Sequence, residues 1–251
     1  MFKKDLHRKF FWLVLFSIAM GYLESAVVIY IRWHYYPNGF DFPLVPIEKT
    51  IAITEFFREV ATMIMLAAIG NLTGETKKQR FAFFVLSFAI WDIFYYVFLY
   101  VILGWPHSLM TFDVLFLIPV PWIAPVLCPV LISSLMICYS FIVIFGDRVV
   151  AQKGMLRVER LVMTIGCAIV LYSFMSDYVH FVSQHHADKG AWTLSQNKDL
   201  FSEAAGYVPK AFQWKIFIPG FVIMCGSIGM FFARVKRAVV RSESRDLKQV
   251  A

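Results

Sequence analysis

Charged residues are scarce in this 251-residue chain. Asp, Glu, Lys and Arg make up only 16% of the sequence, whereas 59% of the residues are hydrophobic. A soluble globule of this size leaves about a quarter of its chain surface exposed, and polar residues must cover that surface. The apolar residues also fall into blocks of about twenty, the length that an α-helix needs to cross a bilayer. The composition therefore excludes an ordinary soluble enzyme and predicts an integral membrane protein in contact with lipid.

Motifs for nucleotide binding and for common hydrolases are missing as well. The sequence contains no Walker loop, no GxGxxG fingerprint, no GxSxG elbow and no HExxH motif. We therefore expect no nucleotide cofactor. The net charge of +7 does not indicate nucleic acid binding, because Lys and Arg concentrate at the ends of the apolar blocks, as in membrane proteins.

Cysteine is rare, with four residues in the whole chain. All four lie inside apolar blocks, none forms a CxxC pair, and none lies in a long polar loop. Disulfides are not expected, and packing of buried thiols is the simplest role. The four residues are Cys128, Cys138, Cys167 and Cys225.

The apolar blocks predict an all-α fold, a single polytopic bundle over residues 1–251 with about six transmembrane helices. The N-terminal block imitates a signal peptide, but it continues past Glu24 without a clear cleavage site, so we interpret it as a retained first helix. The predicted spans are 10–31, 50–70, 80–103, 123–144, 161–182 and 211–233.

Basic residues predict the orientation of these spans. Seventeen of the twenty-four Lys and Arg residues flank one side of the predicted bundle, six flank the other, and Arg58 lies within a span. The positive-inside rule then places both termini in the cytoplasm. We expect a multi-pass protein of a bacterial-type inner (plasma) membrane, with residues 184–210 forming a long periplasmic loop.

The fourth span has an unusual approach, because the apolar run before it is too long for one straight crossing. Pro119, Pro121, Pro125 and Pro129 supply a break. We predict a proline-broken fourth span preceded by a short outer interfacial helix near residues 114–118. Such breaks line cavities in some membrane proteins and are plain kinks in others, and the sequence leaves both readings open.

Ionisable side chains inside the predicted spans are the candidates for function, because a charge near the bilayer centre costs at least about 2.5–3.5 kcal/mol. Counted from the outer helix ends, they fall into two adjacent layers, about three to six and about eight to twelve residues deep. Helical spacing places Glu55 and Glu59 on one face, and Asp177 and His180 on another. The candidates are Glu24, Glu55, Arg58, Glu59, Asp92, Asp177 and His180.

Five carboxylates against one arginine would not remain ionised together at this depth without compensation. A metal ion is one solution, and an oxygen-rich set with one imidazole suits iron, manganese or zinc. Haem is not expected, because only His180 lies within a span. The predicted ligands are Glu24, Glu59, Asp92, Asp177 and His180, with Glu55, Arg58, Tyr95 and Tyr96 supporting them or anchoring a substrate.

Three functions fit these residues. The first is a metal-binding membrane enzyme or metalloprotein. The second is a proton-coupled transporter or permeation subunit in which the same carboxylates exchange protons. The third is a non-catalytic subunit of a larger respiratory or photosynthetic complex, with membrane-protein partners or further copies of the chain against its apolar faces.

Overall fold

The computed structural model describes residues 2–45, 47–116, 120–146, 154–185 and 207–250. Over these residues the chain forms six α-helices and one two-stranded antiparallel sheet, so the predicted helical architecture is confirmed. The elements are α1 (Phe2–Tyr35), α2 (Lys49–Thr73), α3 (Lys77–Leu103), β1 (Phe112–Phe116), β2 (Trp122–Pro125), α4 (Leu127–Phe145), α5 (Arg157–His185) and α6 (Trp214–Val250). The predicted loop 184–210 lies largely outside the described residues.

Five of these helices are long and apolar enough to cross a membrane, namely α1, α3, α4, α5 and α6. Large hydrophobic side chains such as Phe11, Trp12 and Tyr172 are exposed on them, as expected for helices that face lipid. Five predicted spans overlap these helices, but α1 begins eight residues before its predicted span and α6 continues to Val250, well beyond residue 233. The predicted span 50–70 is helical within α2, but α2 is not among the five.

The connection between α2 and α3 fixes how these two helices pack. Thr76 caps α3 in a capping box, in which its hydroxyl accepts a hydrogen bond from the Gln79 amide at 3.2 Å. Gly70 lies so close to α3 that a Cβ atom there would be 2.7 Å from the Phe84 nitrogen. The two helices therefore run antiparallel in contact, and at 1.5 Å per residue α2 is about 37 Å long, comparable with α3.

The approach to the fourth span is a β-hairpin, and the predicted outer interfacial helix is wrong. β1 and β2 pair antiparallel, with Phe112 opposite Pro125 and Asp113 opposite Ala124. The predicted break is present, and α4 begins only at Leu127. Proline explains the difference, because Pro121 and Pro125 lack the amide hydrogen that a helix needs and disfavour helical geometry in the preceding residue.

Helices α5 and α6 are held together by close backbone approach and by an ion pair. A Cβ atom at Gly166 would lie 2.9 Å from the Gly220 carbonyl oxygen, so only a small residue fits there. Near one end of this contact the Arg234 guanidinium donates to both carboxylate oxygens of Glu159, at 2.9 and 2.8 Å. The Ser227 hydroxyl also donates to the Glu159 carbonyl oxygen. These contacts make α5 and α6 one packing unit.

Replacing Gly166 with alanine is expected to lower the free energy of unfolding by about 1–3 kcal/mol, because the new methyl group would overlap backbone atoms of α6. Gly229→Ala is the matched control, since a Cβ atom there meets nothing within 4 Å. The control should leave stability unchanged or raise it by about 1 kcal/mol through helix propensity. Thermal unfolding in detergent measures both, and equal melting temperatures would contradict this packing.

Candidate functional site

A cavity of about 500 Å³ lies in the half of the bundle that holds the hairpin. Its walls come from α1, α2, α3, the hairpin and α4, with α5 and α6 contributing apolar side chains. Aromatic residues line much of it, including Trp91, Tyr95, Trp122 and Phe174. Its charged lining residues are Glu24, Glu55, Arg58, Glu59, Asp92 and Asp113.

Arg58 joins α2 to α1 at the edge of this cavity. Its Nη1 donates to the Glu24 carboxylate, and its Nε donates to Glu55 Oε2 at 2.7 Å. All three side chains are mostly buried, with 22%, 12% and 16% of their surfaces exposed for Arg58, Glu24 and Glu55. One guanidinium group thus serves two carboxylates, and the trio keeps one formal negative charge.

Asp92 lies on α3 and is held from α4. The Ser133 hydroxyl donates to Asp92 Oδ2 at 2.8 Å, and the structure gives this carboxylate no cationic partner among the described residues. The tyrosines predicted to assist Asp92 behave differently. Tyr96 donates to Asp113 at 3.1 Å, and Tyr95 contributes a cavity wall, while its backbone carbonyl accepts from Ser25 at 3.0 Å.

Asp113 and Arg32 form a buried ion pair that the sequence interpretation missed. Arg32 Nη2 lies 3.3 Å from Asp113 Oδ1, and only 7% and 3% of the two residues is exposed. The Arg32 guanidinium also stacks on Trp105 and Phe40, at 3.8 and 4.3 Å from the ring centroids.

Glu59 differs from Glu55, the other acid on α2. Its carboxylate makes no hydrogen bond or ion pair with any residue that the structure describes, although Arg58 is its neighbour in the chain. It lines the cavity and also a second, apolar groove between α2 and α3. Glu59 therefore lies where the cavity and the groove adjoin, without an ion-pair partner among the described residues.

Two indole groups of the cavity wall are also unsatisfied. The Nε1 atoms of Trp91 and Trp122 are buried and have no hydrogen-bond acceptor in the described parts of the chain. A buried donor without an acceptor costs about 1–3 kcal/mol, so such atoms call for an explanation. Both groups can donate a hydrogen bond to water or to a molecule bound in the cavity.

The remaining two predicted ligands lie outside the cavity. Asp177 accepts a hydrogen bond from the Tyr207 hydroxyl, and His180 lies on the surface, where its Nε2 is 2.9 Å from Gln184 Nε2. Of the five predicted ligands, the cavity is lined by three, Glu24, Glu59 and Asp92, and Asp177 and His180 lie outside it. Over the described residues, no group of three or more His, Cys, Asp or Glu side chains is close enough to hold a metal ion.

Comparisons with protein-family models, with curated proteins and with solved structures find no match for this chain.

Proposed function

We propose that this protein is a proton-coupled membrane carrier for organic cations and that its cavity is the binding site. Five carboxylates line or bound the cavity against two guanidinium groups, Arg58 and Arg32, which leaves a formal excess of three negative charges. The observation that carries the proposal is that two of these carboxylates, Glu59 and Asp92, have no cationic partner in the described structure.

The chemistry of the walls favours an organic cation over a bare ion. Indole and phenol rings attract cations through their faces, and the apolar remainder of the lining suits a hydrophobic body. A carboxylate without a partner in such surroundings is stabilised either by a proton or by a bound cation. Cation binding therefore competes with protonation at Glu59 and Asp92, which is the basis of coupling.

The non-helical backbone beside the cavity is a feature that many membrane carriers share. Non-helical backbone at membrane depth is tolerated where it is covered by protein or lines a cavity, and the β1–β2 hairpin lines this one. For the topology we propose six spans, with α2 as the sixth because it runs beside α3 over a similar length. The basic residues then favour cytoplasmic termini and a bacterial-type inner membrane.

Binding of tetraphenylphosphonium to the purified protein in a non-ionic detergent tests the proposal. We expect saturable binding that weakens about 30-fold or more in Glu59→Gln, because an interaction with a partly buried charge that has no ion-pair partner is worth about 2 kcal/mol or more. Glu75→Gln, an exposed acid at the α2–α3 turn, is the control. Binding that is absent, or equal in the two variants, would contradict the carrier proposal.

The metal hypothesis stays a prediction, and elemental analysis of the same preparations tests it. Stoichiometric iron, manganese or zinc that is lost in both Asp177→Asn and His180→Ala would favour a metalloprotein and argue against the carrier. The subunit hypothesis also stays a prediction, and co-purification of membrane-protein partners would favour it.

A further inference from the structure

A second depression, the groove between α2 and α3, adjoins the cavity. It has a volume of about 360 Å³ and lies between α2 and α3, with the hairpin residue Phe116 contributing to its wall. Glu59, Met63 and Phe116 line both the cavity and this groove. The cavity therefore has a side that opens between helices, toward the region where lipid would lie.

The groove is apolar except at one position. Among the residues that the structure describes, Glu59 is the only ionisable one that lines the groove, and the others are Phe56, Val60, Met63, Ile64, Ala67, Phe84 and Phe116. Several of these side chains are exposed, with Ile64 at 64%. The apolar strip runs along α2 away from Glu59 toward Ala67.

The geometry points to a single-chain cationic amphiphile, such as an alkylammonium, that enters laterally from the bilayer with its head group at Glu59 and its tail in the groove. This inference rests on the proposed function and names its substrate class. Glu59 to Ala67 covers about 12 Å along the helix axis, so the end of an extended dodecyl chain whose head group lies at Glu59 would reach Ala67 or just beyond it.

Charge selects this occupant. Lipid tails are as apolar as the groove, so the groove alone confers little preference for one hydrocarbon over another. The carboxylate of Glu59, which has no ion-pair partner among the described residues, favours a positive head group and disfavours a phosphate next to it. If the tail stays in the groove, it does not have to pass through water while the head group moves into the cavity.

The test uses a dodecyltrimethylammonium probe with a diazirine on its terminal carbon, photolysed with the full-length protein in nanodiscs of zwitterionic lipid. We expect cross-links on the α2 segment around Ala67 and on α3 near Phe84. Excess tetraphenylphosphonium should displace them, and Glu59→Gln should abolish them. Labelling of α2 that persists equally in Glu59→Gln would mean contact with bulk lipid only and would overturn the inference.

Filling the groove gives a second readout. Ala67→Phe places a ring inside the groove, whereas Ala68→Phe adds the same ring at an exposed neighbouring position that does not line it. We expect Ala67→Phe to reduce cross-linking about tenfold, a steric penalty typical of overpacking, with tetraphenylphosphonium binding retained. Ala68→Phe should reduce neither.

The two proposals fail in different ways. If tetraphenylphosphonium binding does not depend on Glu59, the carrier proposal fails. If that binding does depend on Glu59 but Ala67→Phe and Ala68→Phe cross-link alike, the lateral route for an alkyl chain is wrong and the cavity site stands.

Discussion

Replacing Asp113 with asparagine is expected to lower the free energy of unfolding by about 3–5 kcal/mol, the cost of leaving a buried charge without its partner. Arg32 is buried against Trp105 and Phe40, so its charge has little access to water once the carboxylate is removed. Arg32 Nη1 already lacks a hydrogen-bond partner in the described structure, so the loss of Asp113 would leave the guanidinium group without any carboxylate to balance its charge.

Asp41→Asn is the matched control, because Asp41 is exposed and only accepts a local hydrogen bond from the Phe42 amide. Its effect should stay within about 0.5 kcal/mol. Chemical unfolding in detergent micelles, followed by tryptophan fluorescence, measures both variants. If Asp113→Asn were as stable as Asp41→Asn, the hairpin would not be anchored to α1 by this pair.

Replacing Asp92 with asparagine is expected to weaken tetraphenylphosphonium binding about 30-fold or more, while the protein stays folded. Ser133 supplies the one hydrogen bond that the structure gives this carboxylate, and an asparagine oxygen can still accept it. The substitution therefore removes the negative charge and keeps the shape. Ser133→Ala should weaken binding less, because it loosens the carboxylate and leaves its charge in place.

Asp177→Asn tests in the same assay whether tetraphenylphosphonium binding depends on the acids of the cavity or on any acid of the membrane helices. Asp177 is an acid of the same type on a membrane helix, but its partner is Tyr207 and it does not line the cavity. Its replacement should leave the dissociation constant within a factor of two or so. Equal losses in Asp92→Asn and Asp177→Asn would show that binding does not distinguish the cavity from the rest of the bundle.

The helices could be predicted from the sequence because membrane-spanning helices consist of long apolar segments. The grouping of Glu24, Glu59 and Asp92 followed from depth alone, since antiparallel helices bring residues of equal depth to one level. Depth counted from the sequence does not show how far along each helix the cavity extends. Asp177 follows Val170 and Phe174 at helical spacing on α5, but the cavity lining on α5 ends at Phe174, and Asp177 and His180 lie beyond it.

The hairpin and its ion pair were missed for a different reason. Residues 112–125 are apolar, aromatic and interrupted by proline, a pattern that fits a broken helix as well as a short strand pair. In the sequence, Arg32 lies at the outer end of the first apolar block and Asp113 begins the long apolar run before the fourth span, so nothing there pairs the two residues. In the structure, Asp113 lies in strand β1, which pairs with β2, and there it contacts Arg32 of α1 and Tyr96 of α3.

Counting the protons released when tetraphenylphosphonium binds tests the exchange of protons for cations most directly. In weakly buffered detergent solution with a pH-sensitive dye, the parent protein should release protons in proportion to the cation bound. The release should fall as the pH rises, because fewer cavity carboxylates then hold a proton before binding. Binding without proton release at any pH, or unchanged release in a Glu59→Gln/Asp92→Asn double variant, would contradict proton coupling through this cavity.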